Sequence, residues 1–216
     1  SRWHRQFPDG KVPVDQALTV CRQFAEALDF AHGEKIAHRD IKPSNVMVET
    51  TAPGGMRCRV LDFGLAAEIR SSMSRVSRET GDTSGTRPYM APEQWQGMKQ
   101  GPATDQYAMA TLFHELIAGE VPFAAAFETG DPVIMERAVL GRTPEPLPEL
   151  SRDANAALLR GLSKKPEDRF DSCRELVEAV DGKVTGFRVQ GGGWKGRRLL
   201  MTVLGVGCLV LGVVGG

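Results

Sequence analysis

The stretch IAHRDIKPSNVMVE, residues 36–49, sets His38, Arg39, Asp40, Lys42 and Asn45 between two apolar runs. Propensity alone predicts only an ordinary surface turn here, which gives no reason for an acid, two cations, an imidazole and an amide to crowd together. A second stretch, CRVLDFGLA at residues 58–66, repeats the arrangement: an apolar run ends in an acid, Asp62, followed by Phe63 and Gly64. The two stretches have to be read together.

The rest of the chain bounds what they can belong to. With 216 residues, 41% of them hydrophobic, it is long enough for one good core, or for a domain plus an appendage. Lys and Arg number 27 and Asp and Glu also number 27, so no general electrostatic attraction points to nucleic acid as partner. Cys21, Cys58, Cys173 and Cys208 are far apart, with no C-x-x-C pair and no neighbouring His at metal-ligand spacing, which fits a reducing cytosol. The chain starts at Ser1 without a signal-peptide pattern and stops at Gly216 inside an apolar run, which reads as a fragment at both ends.

Val14, Leu18, Cys21, Phe24, Ala25, Leu28 and Ala31 recur at the spacing of one helical face, between Pro13 and Gly33. The runs NVMVE and CRVLDF, with TTAPGG between them, predict a small two-stranded hairpin. Residues 67–88, rich in Ser, Thr, Arg and Gly and without periodicity, read as a long exposed loop, and such loops are usually functional. Thr104 to Ala118 is helical and strongly apolar, which predicts burial. Two further helices are expected at about Ser151–Leu162 and Ser172–Val180, the second opening with Ser172 and Glu175 in capping-box spacing. The fold class expected is therefore mainly α with a small β-hairpin.

Transfer of a phosphoryl group from ATP needs a hydroxyl, a γ-phosphate and magnesium held in line. A carboxylate must orient the hydroxyl and accept its proton, a second must hold magnesium, and an amide oxygen can complete the metal shell. Asp40, Asp62 and Asn45 suit these tasks. Lys42, two positions after Asp40, points the same way in an extended loop and can neutralise the transferring phosphate.

HRDIKPSN at residues 38–45, DFG at 62–64 and APE at Ala91–Glu93, in this order, resemble the protein-kinase signature set. The resemblance implies Asp40 as catalytic base, Lys42 beside it, and Asn45 and Asp62 as magnesium ligands, with ATP and magnesium as cofactors. Lys42 and the run GTRPYMAPE, with Gly85 and Thr86 in its substrate loop, resemble serine/threonine kinases more than tyrosine kinases. By the same resemblance Thr86 contacts the catalytic Asp and Lys, Asp105 braces the catalytic loop, and Glu93 pairs with Arg169. His38 and Phe63 fall in a hydrophobic stack and are read as packing residues. His4, His32 and His114 have no partner legible in the sequence.

The phrasing from residue 1 to about 182 is similar to the large lobe of a bacterial, eukaryotic-like kinase of receptor type. No G-x-G-x-x-G and no V-A-I-K strand lysine occurs, so the small lobe is absent from this chain. Two functions stay open: a serine/threonine kinase acting on protein substrates in its full-length form, or a pseudokinase or signalling scaffold. Arg39 beside Asp40, facing a loop with Ser71, Ser72, Ser74, Ser77, Thr80, Thr83 and Ser84, suggests control by phosphate on that loop, with Thr83 the favoured site.

Residues 183–198 read as a basic, Gly-rich juxtamembrane linker. The 18 residues Leu199–Gly216 carry no charge, which predicts a transmembrane helix. Trp194, Lys195, Arg197 and Arg198 just before it favour a single-pass membrane protein with the kinase-like lobe in the cytoplasm. Gly212 and Gly216, four apart, leave room for a homodimer.

Overall fold

The computed structural model describes residues 6–51, 55–62 and 85–182. Phe63, Thr83, most of the expected loop, the linker and the expected membrane span lie outside them. Among the described residues no helix is long and apolar enough to cross a membrane.

Helix α1 (Val14–Gly33) buries Ala17, Leu18, Val20, Cys21, Phe24, Ala25, Leu28 and Ala31, the stripe that its apolar period predicts. Pro13 stands at its N-cap, where a missing N–H costs nothing, and its carbonyl accepts from Ala17 N at 2.9 Å.

Strands β1 (Val46–Thr51) and β2 (Gly55–Val60) pair antiparallel with Val46 opposite Val60 and Val48 opposite Cys58. The strands run closer to the turn than TTAPGG suggested, and the second ends at Val60 instead of reaching Phe63. Alternation sends Arg57 and Arg59 to solvent, while Met56, Cys58 and Val60 are half-buried. Gln23 ties the hairpin to α1: its Nε2 donates to Met56 O and its Oε1 accepts from Cys58 N, both at 2.8 Å. Leu61 N donates to Asn45 O at 2.8 Å, one rung past the strand end, which draws Asp62 back beside the start of β1.

After a short α2 (Pro92–Trp95), α3 (Pro102–Ala118) forms the centre of the fold, with every residue from Thr104 to His114 buried. It starts two residues earlier than the apolar pattern implies, because Pro102 has the helical φ preset at the first turn. It stops at Gly119, whose φ of +80° is left-handed; a Cβ there would lie 2.5 Å from Asp9 O.

Helices α4 (Ala124–Glu128) and α5 (Pro132–Gly141) were not legible as periodic runs, although Asp131-Pro132 is a start signal and the Asp131 side chain accepts from Val133 N at 2.8 Å. Helices α6 (Arg152–Gly161) and α7 (Cys173–Val180) match expectation to within a residue, capped by Ser151 and Ser172. The Ser172 hydroxyl accepts from Glu175 N at 3.1 Å, but Glu175 accepts from Asp171 N, one residue before the position a capping box needs. Helices α1, α3, α6 and α7 enclose one core, which Val46 of β1 enters from the hairpin side.

Candidate active site

The loop from His38 to Asn45 leaves α1 and enters β1, and its backbone is held from below. Asp105, in the first turn of α3 and 1% exposed, accepts from His38 N at 2.7 Å and from Arg39 N at 2.6 Å. Arg39 needs this hold because its φ is +62°, a left-handed conformation unfavourable for a residue with a Cβ. The Arg39 side chain is left exposed.

Asp105 has a third partner that the sequence did not show. His32 Nε2, at the end of α1, lies 2.8 Å from Asp105 Oδ2, and His32 Nδ1 lies 3.8 Å from Asp29 Oδ1. Burial alone would depress the imidazole, but hydrogen bonds to Asp105 and Asp29 outweigh it and raise the pKa to about 9. Asp29 in turn accepts from Cys173 N and Arg174 N at 2.9 Å, capping α7. Among the described residues Asp29, His32 and Cys173 are one group whose ligand atoms lie within 4.8 Å of one another. Burial raises the Cys173 thiol well above its usual range, the histidine is held as a cation, and Asp29 already serves a helix end. The group is thus an ionic bridge among α1, α3 and α7.

Above this base sit the groups with chemical potential. Asp40 is 8% exposed, and Lys42 Nζ lies 3.2 Å from its Oδ2. The same ammonium donates to Thr86 Oγ1 at 3.1 Å, which ties the segment that starts at Gly85 to the loop from His38 to Asn45. Asn45 Nδ2 donates to Asp40 O at 2.8 Å. A carbonyl can only accept, so this bond assigns the amide and makes Asn45 Oδ1 the acceptor end, which takes the Ser44 hydroxyl at 3.3 Å and has a second lone pair for a ligand. His38 is buried, and its polar atoms are used: Nε2 is 2.8 Å from Leu61 O, and Nδ1 accepts from Asp40 N at 3.3 Å. It links the loop to the residue before Asp62. Asp62 is exposed, with a φ of +58°.

Glu93 and Arg169, each 2% exposed, form a two-pronged ion pair at 2.8 Å per prong. Burial would raise the Glu93 carboxyl, but Arg169 outweighs it and holds it below the ordinary carboxylate range. Thr104 Oγ1 also donates to Glu93 Oε1 at 2.9 Å, and Arg169 donates to Ala103 O at 2.8 Å, so both ions are saturated.

Sequence reasoning passed over three further groups. Tyr89, in the turn Arg87–Tyr89 after Thr86, donates its hydroxyl to Glu115 Oε2 at 2.7 Å, and burial raises the pKa of both. Gln94 Nε2 donates to Arg39 O at 3.0 Å. His114, whose partner the sequence did not show, lies 3.0 Å from Glu120 O through Nδ1, with its pKa lowered by burial. A Tyr, a Gln or a His inside a helical or turn segment gives no sign in sequence of what faces it. Gly85, exposed, precedes Thr86.

An acid, a lysine and an amide stand on one braced loop, and the hairpin returns the chain so that a second acid, Asp62, follows the residue bonded to Asn45. The protein kinase domain family matches residues 4–180, and the chain belongs to that family. It is 33% identical over 173 residues to serine/threonine-protein kinase PknB of Mycobacterium leprae, covering 78% of this chain and 26% of that protein. It is 30% identical over 185 residues to PknF of Mycobacterium tuberculosis, covering 84% and 37%. The chain therefore spans about a quarter to just over a third of these relatives. The solved PknI kinase domain of Mycobacterium tuberculosis, in a singly substituted form, is similar with a TM-score of 0.56 and 29% identity, covering 80% of this chain and 56% of that one. A doubly substituted form of the same domain gives a TM-score of 0.59 and 26% identity over 84% and 60%.

Proposed function

We propose that the full-length protein transfers the γ-phosphate of ATP to Ser or Thr hydroxyls of protein substrates. The observation that carries this reading is the contact of Lys42 Nζ with both Asp40 and Thr86, on a loop whose backbone Asp105 holds in a strained conformation. In the reaction the substrate oxygen bonds to the γ-phosphorus, its proton passes to the Asp40 carboxylate, and the bond from phosphorus to the β,γ-bridging oxygen breaks to leave ADP. Lys42 lies where it offsets charge on the transferring group, and Thr86 keeps it there.

Asn45 Oδ1 and the exposed Asp62 carboxylate are hard oxygen donors on the residues that flank the open end of the hairpin, the donor type that suits magnesium. When bound, magnesium offsets the negative charge of the phosphates. Relatives named serine/threonine-protein kinases, together with Lys42, favour an alcohol over a phenol as acceptor. A scaffold that only binds a partner has no need of this set.

The basic stretch before Leu199 and the uncharged run after it support a single-pass membrane protein, with the lobe in the cytoplasm and homodimer formation through Gly212 and Gly216. The exposed Arg39 pairs with phosphate on the loop before Gly85, with Thr83 the favoured site. Radiolabelled phosphate incorporation into a Ser/Thr peptide library by the purified full-length protein tests the reading. Transfer should fall by about two orders of magnitude or more in Asp40→Asn; an undiminished rate would remove the assignment.

A further inference from the structure

Arg39 sits in the left-handed region, where its Cβ crowds the following carbonyl, so its conformation persists only while neighbours hold it. Asp105 grips its N–H at 2.6 Å, but a residue held at its N–H alone can still rotate about ψ. The peptide unit that follows has two further grips: Asp40 N donates to His38 Nδ1 at a long 3.3 Å, and Gln94 Nε2 donates to Arg39 O at the shorter 3.0 Å. That carbonyl belongs to the same planar peptide unit as the N–H of Asp40. Orienting Arg39 O therefore orients the unit from which the Asp40 Cα and carboxylate project.

The Gln94 amide is not interchangeable end for end. Its Oε1 accepts from Ala91 N at 2.9 Å, an N–H that can only donate, so Nε2 is the end that faces Arg39. Gln94 Nε2 also lies 3.2 Å from Gln100 Oε1. One amide thus joins Ala91, two residues before the buried Glu93, to the carbonyl before Asp40. Gln94, Asp40, Thr86, Tyr89 and Asp105 line a common cavity of about 10 Å³, the space of a single water.

We infer that Gln94 is a positioning residue for the phosphoryl transfer proposed above: by donating to Arg39 O it sets the orientation of Asp40 and makes that orientation depend on the Ala91–Glu93 anchor. The inference rests on the kinase reading. The alternative is that Gln94 merely caps α2 through Ala91, and the two ends of the amide allow the roles to be separated.

The experiment compares full-length wild type with Gln94→Glu, which keeps the acceptor and loses the donor, Gln94→Lys, which keeps a donor and loses the acceptor, and Gln94→Met, which loses both. The kcat of Gln94→Glu and Gln94→Met should fall about three- to tenfold with KM for ATP unchanged, and Gln94→Lys should recover at least half of the loss. Amide hydrogen exchange of the peptide covering residues 36–42 should be faster in Gln94→Glu and Gln94→Met than in wild type and Gln94→Lys. Wild-type behaviour of Gln94→Glu, with losses confined to Gln94→Met and Gln94→Lys, would reduce Gln94 to a cap and overturn the inference. Equal kcat in all four proteins, or a loss expressed only in KM, would also overturn it. Should wild type transfer no phosphate, the kinase reading fails, and exchange decides the positioning alone: equal protection in all four proteins refutes it.

Discussion

His32 Nε2 and Asp105 Oδ2 lie 2.8 Å apart, although the two residues are 73 positions distant in the chain and stand on different helices. Through this contact the end of α1 supports the acid that holds the backbone of the loop from His38 to Asn45. Asp29, on the other side of the imidazole, supports the start of α7, so one histidine joins three elements around the site.

The contact makes stability depend on pH. The folded pKa of His32, about 9, lies above its ordinary 6.5. Its contribution is thus fully present below pH 6.5 and lost as pH rises through about 9. Denaturant unfolding of wild type should show up to about 2 kcal/mol lost across that window, after allowance for solvent screening. In His32→Gln this slope should largely vanish; an unchanged slope would refute the ionic bridge.

Arg169→Ala should destabilise the protein by about 3–5 kcal/mol, because it strands Glu93 as a buried unpaired charge. Replacing both partners by apolar residues of similar volume should be milder than either single change. Thermal or urea unfolding of the two single variants and the double variant checks this, and additive losses would contradict it.

Asp62→Asn should cut phosphate transfer by about two orders of magnitude and raise the magnesium concentration needed for half-maximal rate, with protein stability little changed, since the side chain is exposed. Asn45→Ala should show both the higher magnesium requirement and lower stability, as it also removes the bond to Asp40 O. Rate against magnesium concentration, with unfolding curves for each variant, separates the two.

Fractionation of cells expressing the full-length protein should recover it with membranes. Protease added to intact cells should leave residues 6–182 uncut. Recovery in the soluble fraction, or digestion of the lobe from outside, would overturn the proposed topology.

The types of element around the site were legible in the sequence because they follow from local chemistry. Apolar spacing marks α1 and α3, Ser151 and Ser172 mark the caps of α6 and α7, and β-branched runs around Pro-Gly-Gly mark the hairpin. The acids, lysine and amide of the site were likewise visible, since each is unusual where it stands.

Partnership was another matter. That His32 lies between Asp29 and Asp105, and that Gln94 turns one end of its amide to Ala91 and the other to Arg39, depends on how the elements pack. That packing is decided by the close contact of Leu28 of α1, Met109 of α3, Leu176 of α7 and their neighbours in one core. Periodicity tells which face of a helix is buried; it carries no information on which distant residue will meet it. Spacing likewise showed no histidine near a cysteine, yet folding set Cys173 beside His32, because distance along the chain does not limit distance in the core.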